Sequence, residues 1–253
     1  MPEGFLFTHR STGNSDAYFI TNQKDDKNKS EFGFRITGKQ PELWNAVTGE
    51  KRDLYEFREE NGFTYIPLEF DKSDSWFIIF RKGIKEKKNI PNFPEKTTVQ
   101  TLKGDWKVTF EAANDTIGSI IMPELKDLTT FDEPSIKYFT GVATYSNEFE
   151  YPEEPASPVW IDLGEVEAMA QVTINGHRLP YLWRYPYSVE ISDLLMKGTN
   201  KIEVDVVNTW WNRLVGDKQP NSKQHTSATV CRWNADSKLL PAGLVGPVTL
   251  KRE

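Results

Sequence analysis

Two short stretches of this sequence combine aromatic and hydrogen-bonding side chains in a way that could bind a ligand. An exposed aromatic ring can stack on the apolar C–H face of a sugar, while amide, carboxylate and guanidinium groups bind its hydroxyl groups. Both requirements are met in composition, so carbohydrate contact is one hypothesis for these stretches. The candidate residues are Trp183, Arg184, Tyr185, Trp210, Trp211, Asn212, Arg213 and Asp217.

The opposing interpretation of these residues is structural. Aromatic side chains are more often buried than ligand-binding, so the same tryptophans could fill a core or an interface with a neighbouring domain. If the strand that reaches Asn208 continues, Trp210 and Trp211 point to opposite faces, because side chains alternate along a strand. The outward-pointing one of the two is then the leading single candidate for ligand contact.

Residues for nucleophilic, metal or phosphate chemistry lack the sequence context that such chemistry needs. His9, His177 and His225 have no pattern that would pair a nucleophile with a base. Cys231 lies in no protease-like signature, and no cysteine and histidine cluster has zinc spacing. No glycine-rich loop precedes a helix, so no nucleotide cradle is indicated. We therefore predict neither catalytic residues nor metal ligands in this chain.

The first 83 residues are predicted to form an antiparallel β-sandwich. Phe32, Phe34 and Ile36 alternate with other residues, and strands recur about every ten positions without a helical period between them. The predicted strands are Phe5–His9, Asp16–Asn22, Glu31–Thr37, Leu43–Asn45, Arg52–Phe57, Phe63–Phe70 and Trp76–Arg81.

The clearest pattern in the second part of the chain is strand, hairpin, strand, short turn, strand. Asn175 and Gly176 can adopt the positive φ angles that a two-residue hairpin turn requires. Residues 202–208 alternate between apolar and polar side chains, which predicts a strand with one buried face. Residues 192–195, followed by Gly198, predict one capped helical turn.

Two segments lack regular patterning. Residues 84–94 are rich in lysine and proline and predict a linker, so the predicted domains are residues 1–83 and 95–253. Residues 212–238 show no sustained period of 2 or 3.6. Loops longer than about 12 to 15 residues are uncommon and are often functional or disordered.

Composition and charge narrow the function classes. The 253 residues are 38% hydrophobic and 13% aromatic, which is enough for sizeable cores. Residues 1–92 carry 15 basic and 15 acidic side chains and residues 93–253 carry 16 and 22, so neither part has the basic surface that a phosphate backbone requires. We expect no nucleic-acid partner. The sequence also contains no apolar run of roughly 18 residues, so no membrane partner is expected.

Several short runs resemble the galactose-binding-like β-sandwich domain of large glycoside hydrolases. These runs are Leu163-Gly164-x-Val166, Val172-x-Ile174-Asn175-Gly176, Trp183-x-x-Pro186, Gly198-x-Asn200 and Val206-x-Asn208. The run from Asn208 to Asp217, with the run from Gln40 to Glu50, is similar to the C-terminal region of glycoside hydrolase family 106, the α-L-rhamnosidases. The resemblance covers most of residues 5–81 and 102–253.

The resemblance implies an all-β chain of two antiparallel β-sandwiches, the second a galactose-binding-like jelly roll. It implies two kinds of partner: rhamnose-containing glycans of plant or other polysaccharide origin, and the catalytic barrel of a parent enzyme. The parent family suggests a secreted or periplasmic location. Such a barrel takes roughly 250 residues, and no alternation of strand and helix indicates one here. We therefore expect the non-catalytic portion of such an enzyme, or a free-standing relative of it.

No cofactor is expected, with structural calcium as the one alternative that the resemblance raises. Domains of the galactose-binding-like class often carry such an ion, which would need six to eight oxygen ligands. Asp132, Glu133, Glu153 and Glu154 occur in loops but follow no calcium-loop spacing. A solvated acidic loop is the other explanation for these residues.

Three functional hypotheses follow. The first is an accessory carbohydrate-associated module with weak sugar binding. The second is a structural role, in which the two domains brace a catalytic barrel or form an interdomain or subunit interface. The third, hydrolysis of glycosides by this chain alone, requires a carboxylate pair on the loops of a β-sandwich and is the least supported.

Overall fold

Antiparallel strands are the main regular structure of this chain, which divides into two units, Met1–Glu95 and Lys96–Glu253. The computed structural model describes residues 2–84, 88–111, 117–155, 157–227 and 232–253. The all-β prediction is confirmed. No helix within these ranges is long and apolar enough to cross a lipid bilayer.

The first unit consists of two antiparallel sheets that share one core. Its strands are β1 (Phe5–Thr12), β2 (Ser15–Asn22), β3 (Asn28–Phe34), β4 (Lys39–Trp44), β5 (Lys51–Asp53), β6 (Arg58–Glu60), β7 (Phe63–Phe70) and β8 (Ser75–Gly83). One sheet has the strand order β1-β2-β8-β4-β5 and the other has the order β3-β7-β6. Ile20 and Ile78 from the first sheet and Phe32 and Ile66 from the second are buried in the same hydrophobic cluster. The alternation seen in the sequence therefore arises because one face of each sheet is buried.

The strands of the first unit differ from the prediction in two places. The predicted strand 52–57 is shortened to β5, after which Leu54 enters the core and its backbone N–H donates to the Pro41 carbonyl at 2.9 Å. The strand β6 was missed because all its residues are exposed and charged, so it carries no hydrophobic alternation. It pairs with β7 across a turn at Asn61 and Gly62.

The first unit extends beyond the predicted boundary at residue 83. Asn92 is buried, and its side-chain oxygen accepts hydrogen bonds from the backbone N–H groups of Tyr55 and Glu56 at 2.9 and 3.0 Å. Phe93 packs against the core of the same unit. Within the predicted linker, residues 85–87 lie outside the described residues. Residues 92 and 93 therefore belong structurally to the first unit.

The second unit also has two main antiparallel sheets around one core. Its strands are β9 (Thr97–Thr101), β10 (Trp106–Glu111), β11 (Ile120–Met122), β12 (Gly141–Tyr151), β13 (Val159–Asp162), β14 (Glu165–Val166), β15 (Met169–Ile174), β16 (His177–Leu182), β17 (Ser188–Glu190), β18 (Gly198–Asn208), β19 (Leu244–Gly246) and β20 (Thr249–Arg252). Its helices are α1 (Pro134–Lys137) and α2 (Trp211–Gly216), with 3-10 turns at Leu128–Thr130 and Ser192–Leu194.

The strand order of the second unit determines where the candidate binding residues lie. A six-stranded sheet runs β11-β10-β12-β18-β15-β16, and a four-stranded sheet runs β17-β13-β20-β9. β14 and β19 form a separate pair. Val108 and Val204 from the six-stranded sheet and Ile161 and Leu250 from the four-stranded sheet meet in one core.

The hairpin predicted at Asn175 and Gly176 is confirmed. Their φ angles are 50° and 83°, and Ile174 pairs with His177 across the turn. The short turn at Ser192–Leu194 is also present, but the preceding residue, Ile191, makes no side-chain cap. The Ser192 hydroxyl instead accepts a hydrogen bond from the Val159 backbone N–H at 2.9 Å.

Candidate functional site

The two predicted binding stretches leave the same end of the six-stranded sheet. β16 and β18 both run antiparallel to β15, which lies between them, so they are parallel to each other. Trp183 directly follows β16, and Trp210 follows β18 after one intervening residue. Two inter-strand spacings separate these strands, which corresponds to about 10 Å across the sheet. The topology therefore brings together two loops that are distant in sequence.

The first stretch presents its aromatic rings to solvent. Trp183 is 55% exposed and Tyr185 is 43% exposed. Behind them, the Tyr187 hydroxyl donates to the Ala168 carbonyl at 3.1 Å, which ties the loop to the start of β15. The loop is thus held at its base while two rings protrude.

Two polar or aromatic neighbours complete this stretch. Arg184 lies between the two exposed rings, and its Nη1 donates to the Tyr185 carbonyl at 3.3 Å. Tyr181, near the end of β16, is 55% exposed and was not among the predicted residues. Its position opposite Gln171 on an edge strand would have indicated it, because alternate residues of β16 point away from the core.

The second stretch does not continue as a strand. β18 ends at Asn208, and the helix α2 begins at Trp211, so the condition for strand alternation at Trp210 and Trp211 is not met. Trp210 is 54% exposed. Trp211 is partly buried, since its indole N–H donates to the Lys238 carbonyl at 2.8 Å and its ring packs edge-to-face with Trp233 at 6.4 Å. Trp210 is therefore the exposed indole of the pair.

The other three predicted residues in this stretch are buried and bonded within the protein. Asn212 bonds twice to the backbone of Leu240, donating to its carbonyl at 2.7 Å and accepting from its N–H at 2.9 Å. Arg213 donates from Nε to Asp217 at 2.9 Å, and their side chains are only 11% and 3% exposed. These contacts remove Asn212, Arg213 and Asp217 from the candidate binding surface.

Asp217 fastens the chain that follows α2. Its second carboxylate oxygen accepts hydrogen bonds from the backbone N–H groups of His225 and Thr226, at 3.0 and 2.7 Å, and from the Thr226 hydroxyl at 2.6 Å. Burial raises the pKa of Asp217, but the Thr226 hydrogen bonds and the positive charge of Arg213 outweigh it and hold the pKa below its ordinary value of 3.8. Asp217 is therefore ionised at neutral pH.

Further contacts hold the long stretch of residues 212–238, of which 228–231 lie outside the described residues. The Gln219 side chain donates to the Ala235 carbonyl at 2.8 Å. The Asn208 side chain accepts from the Gly243 N–H at 2.7 Å, where the chain returns to the sheet. A polar side chain thus bonds two parts of this stretch to each other, and the chain that follows the stretch is bonded to β18.

Comparison with known proteins relates this chain to glycoside hydrolases. A family model described as glycoside hydrolase family 106, α-L-rhamnosidase, matches residues 2–59. The structure of a rhamnosidase from Novosphingobium sp. PP1Y superposes with a TM-score of 0.89 and 36% sequence identity over 98% of this chain. The chain is related to the family 106 α-L-rhamnosidases. The predicted resemblance is confirmed.

The chain spans only part of the relatives that it matches. It covers 25% of the Novosphingobium rhamnosidase chain. A protein from Formosa agariphila named "Putative beta-glucuronidase" is 29% identical over 213 residues, which is 71% of this chain and 18% of that protein. The comparisons therefore relate this chain to a quarter or less of each larger protein.

Two of the runs that resemble the galactose-binding-like domain are joined by contacts in the structure. The Asn175 side chain donates to Asn200 Oδ1 at 2.8 Å and accepts from the Lys201 N–H at 2.9 Å, so two separate runs meet at the hairpin. Asn200 is fully buried and also donates to the carbonyls of Met196 and Gly198 at 2.7 and 2.9 Å. Asn175 and Asn200 therefore have a structural role, because their side chains connect the hairpin turn to the turn before β18.

The histidines of this rhamnosidase-related chain occupy unremarkable settings. His9 lies on the exposed strand β1, where its ring stacks on Tyr18 at 4.1 Å and Nε2 is 3.1 Å from Asp16. His177 lies at the exposed start of β16. His225 contributes a backbone N–H to Asp217, and Cys231 lies outside the described residues.

The acidic loop residues considered for calcium do not gather into a ligand set. Glu153 pairs with Arg252 at 2.7 Å, and the Glu133 side chain accepts from the Ser135 hydroxyl at 3.1 Å. In the ranges that the structure describes, no group of three or more His, Cys, Asp or Glu residues could hold a metal ion.

Proposed function

We propose that this chain is a non-catalytic accessory module of an α-L-rhamnosidase-type glycoside hydrolase and that it contacts sugar through Trp183 and Trp210. The observation that carries the proposal is the placement of two exposed indoles at one end of the six-stranded sheet. Relatedness to rhamnosidases over nearly the whole chain supports a carbohydrate ligand.

The chemistry of the two loops fits a sugar ligand. Indole rings offer a flat apolar face for C–H groups and one N–H donor for a hydroxyl. Tyr181 and Tyr185 add hydroxyl groups beside Trp183, and the Arg184 guanidinium lies in the same loop. A surface of this composition stacks on ring faces and bonds hydroxyls at the rim.

Hydrolysis is assigned to another domain of such an enzyme. A glycosidase holds two carboxyl groups across the scissile bond, at about 5 to 5.5 Å or about 6.5 to 9.5 Å. The two described carboxylates that are most deeply buried and ion-paired are Glu42, which contacts Arg81 and Lys82, and Asp217, which contacts Arg213. They lie in different units and each neutralises cations. Neither is placed to donate a proton to a leaving group.

The test of sugar contact is isothermal titration of the purified chain with L-rhamnose, galactose and rhamnose-containing oligosaccharides. We expect weak binding that is lost in Trp183→Ala and Trp210→Ala variants. Flat heats with every sugar at millimolar concentration would refute the proposed ligand contact. A chromogenic rhamnoside should not be turned over, and turnover by the purified chain would refute the non-catalytic role.

One observation favours a structural role for the first unit. Phe19 and Phe77 pack together at 4.7 Å on the face of their sheet that points away from the core, and Ile79 is buried there although it lies outside the core cluster. Trp44 is paired with Phe77 on the same face. An apolar row of this kind suits an interface with another protein domain. Self-association in sedimentation velocity that is abolished by Phe77→Ser would support this second function.

A further inference from the structure

We propose that Trp183 and Trp210 together bind an oligosaccharide of at least two sugar rings, with one ring on each indole. The inference rests on the proposed function, because it assumes that these two indoles contact sugar. It adds the size of the ligand. A monosaccharide contacts one indole at a time, whereas a glycan chain contacts both.

The strand register sets the separation of the two indoles. Leu182 pairs with Ala170, and Ala170 pairs with Val206, so β16 ends level with Val206 and β18 continues two residues beyond that level, to Asn208. A pyranose ring is about as wide as one inter-strand spacing of ~4.8 Å, and the two strands lie about two spacings apart. One ring therefore cannot cover both side chains when each indole lies over its own strand end.

A row of aliphatic side chains lies on the outer face of the six-stranded sheet, close to the ends of β16 and β18. Met169 at the start of β15 pairs with Val207 of β18, and Val207 pairs with Val142 of β12. These three side chains alternate with core residues and therefore point to the outer face, where Val207 is 37% exposed. Of this row, Met169 lies on β15, the strand between β16 and β18, so an aliphatic side chain occupies the outer face between the two strand ends.

Both indoles are held by structure that needs no ligand. Trp210 immediately precedes α2, whose first turn bonds back to it through the Leu214 N–H and the Trp210 carbonyl at 2.9 Å. The loop of Trp183 is tied to Ala168 through Tyr187. A backbone that is fixed before binding loses little conformational entropy on binding, so a second ring contact adds more of its energy to affinity.

The test is calorimetric titration of the whole chain with L-rhamnose, a rhamnose disaccharide and a rhamnose tetrasaccharide. The variants are Trp183→Ala, Trp210→Ala and the double substitution. The control is Phe7→Ala, which removes a ring of similar exposure from the first unit. A stacking contact strengthens binding by about three- to tenfold, so we expect each tryptophan variant to weaken tetrasaccharide binding by that factor.

Chain length separates this inference from the proposed function. We expect the tetrasaccharide to bind wild-type protein at least about tenfold more tightly than L-rhamnose, and the double variant to lose that preference. Equal affinity for the monosaccharide and the tetrasaccharide would overturn the two-ring inference and leave sugar contact standing. Absence of binding by every sugar would overturn both. Unchanged far-ultraviolet circular dichroism of the variants shows that they remain folded.

Discussion

Substitution of Asp217 should most clearly test how the chain that follows α2 is held in place. Asp217→Ala deletes the partner of Arg213 and leaves three donors of His225 and Thr226 without their acceptor. Removing one member of a buried ion pair costs about 3 to 5 kcal/mol. Because Arg213 retains slight solvent access and the freed backbone groups can reach water, we expect a loss near the lower limit, about 3 kcal/mol. For a chain of this size that lowers the melting temperature by about 6 to 12 °C.

The assay is thermal and urea unfolding of Asp217→Ala, Arg213→Ala and the double variant, with Asp193→Ala as the control. Asp193 is an exposed acid in the Ser192–Leu194 turn, and its removal should change the free energy of unfolding by less than about 0.5 kcal/mol. Residues in contact are not additive, so the double variant should lose at least about 1 kcal/mol less than the two single losses combined.

Two results would refute this reasoning. One is an Asp217→Ala variant within about 1 kcal/mol of the wild type, which would mean that the network contributes little beyond hydration. The other is strict additivity of Asp217→Ala and Arg213→Ala, which would mean that the two side chains are not energetically coupled in solution.

Three further predictions concern other parts of the fold. Gly164→Ala should lower the free energy of unfolding by more than about 3 kcal/mol, because φ is +67° and an added Cβ would lie 2.6 Å from the Gly246 backbone. Gly176→Ala should lower it by only about 1 kcal/mol, because φ is +83° but no atom lies within 4 Å of the added Cβ. Asn200→Ala should cost about 3 kcal/mol in urea unfolding, because it removes a fully buried amide that bonds to the Asn175 side chain and to the backbone of Met196 and Gly198. Glu42→Gln should cost about 1 to 2 kcal/mol at pH 7.

The Glu42 prediction includes a pH dependence. Burial raises the pKa of Glu42, but Arg81 and Lys82 outweigh it and hold the pKa below its ordinary value of 4.5. A carboxyl group whose pKa is lower in the folded state stabilises fully above its unfolded pKa, and loses that contribution as pH falls through the folded pKa. The difference between wild type and Glu42→Gln should therefore narrow below pH 4.5. A constant difference from pH 7 to pH 3 would contradict this assignment.

The comparison of matched glycine variants tests close packing directly. Equal melting temperatures for Gly164→Ala and Gly176→Ala would show that the approach of β14 and β19 near Gly246 is looser than described. For Asn200, a loss below about 1 kcal/mol would mean that water replaces its hydrogen bonds to the turns.

Local sequence patterns predicted most of the strands and turns, because these elements are determined by residues close together in sequence. The buried alternation of Ile202, Val204 and Val206 and the positive φ at Asn175 and Gly176 follow from short-range rules, and the structure contains both features. The strand β6 was not predicted, because a short and wholly exposed strand is specified only by its pairing with a neighbouring strand.

The candidate binding residues were less predictable, because their burial depends on residues that are distant in sequence. Asn212, Arg213 and Asp217 have the composition of a ligand site, yet their partners Leu240, His225 and Thr226 lie 8 to 28 residues away. No pattern in the sequence marks those contacts. Likewise, the exposure of Trp210 but not Trp211 follows from the start of α2 rather than from strand alternation.

The most direct test of the central claim is an NMR titration of the indole N–H signals. The chain contains 8 tryptophans, so each indole reports separately on its surroundings. Addition of a rhamnose tetrasaccharide should shift the signals of Trp183 and Trp210 together, while that of the buried Trp106 stays in place. Saturating sugar that leaves both indole signals unmoved, or that shifts only tryptophans outside the end of the six-stranded sheet, would contradict the account.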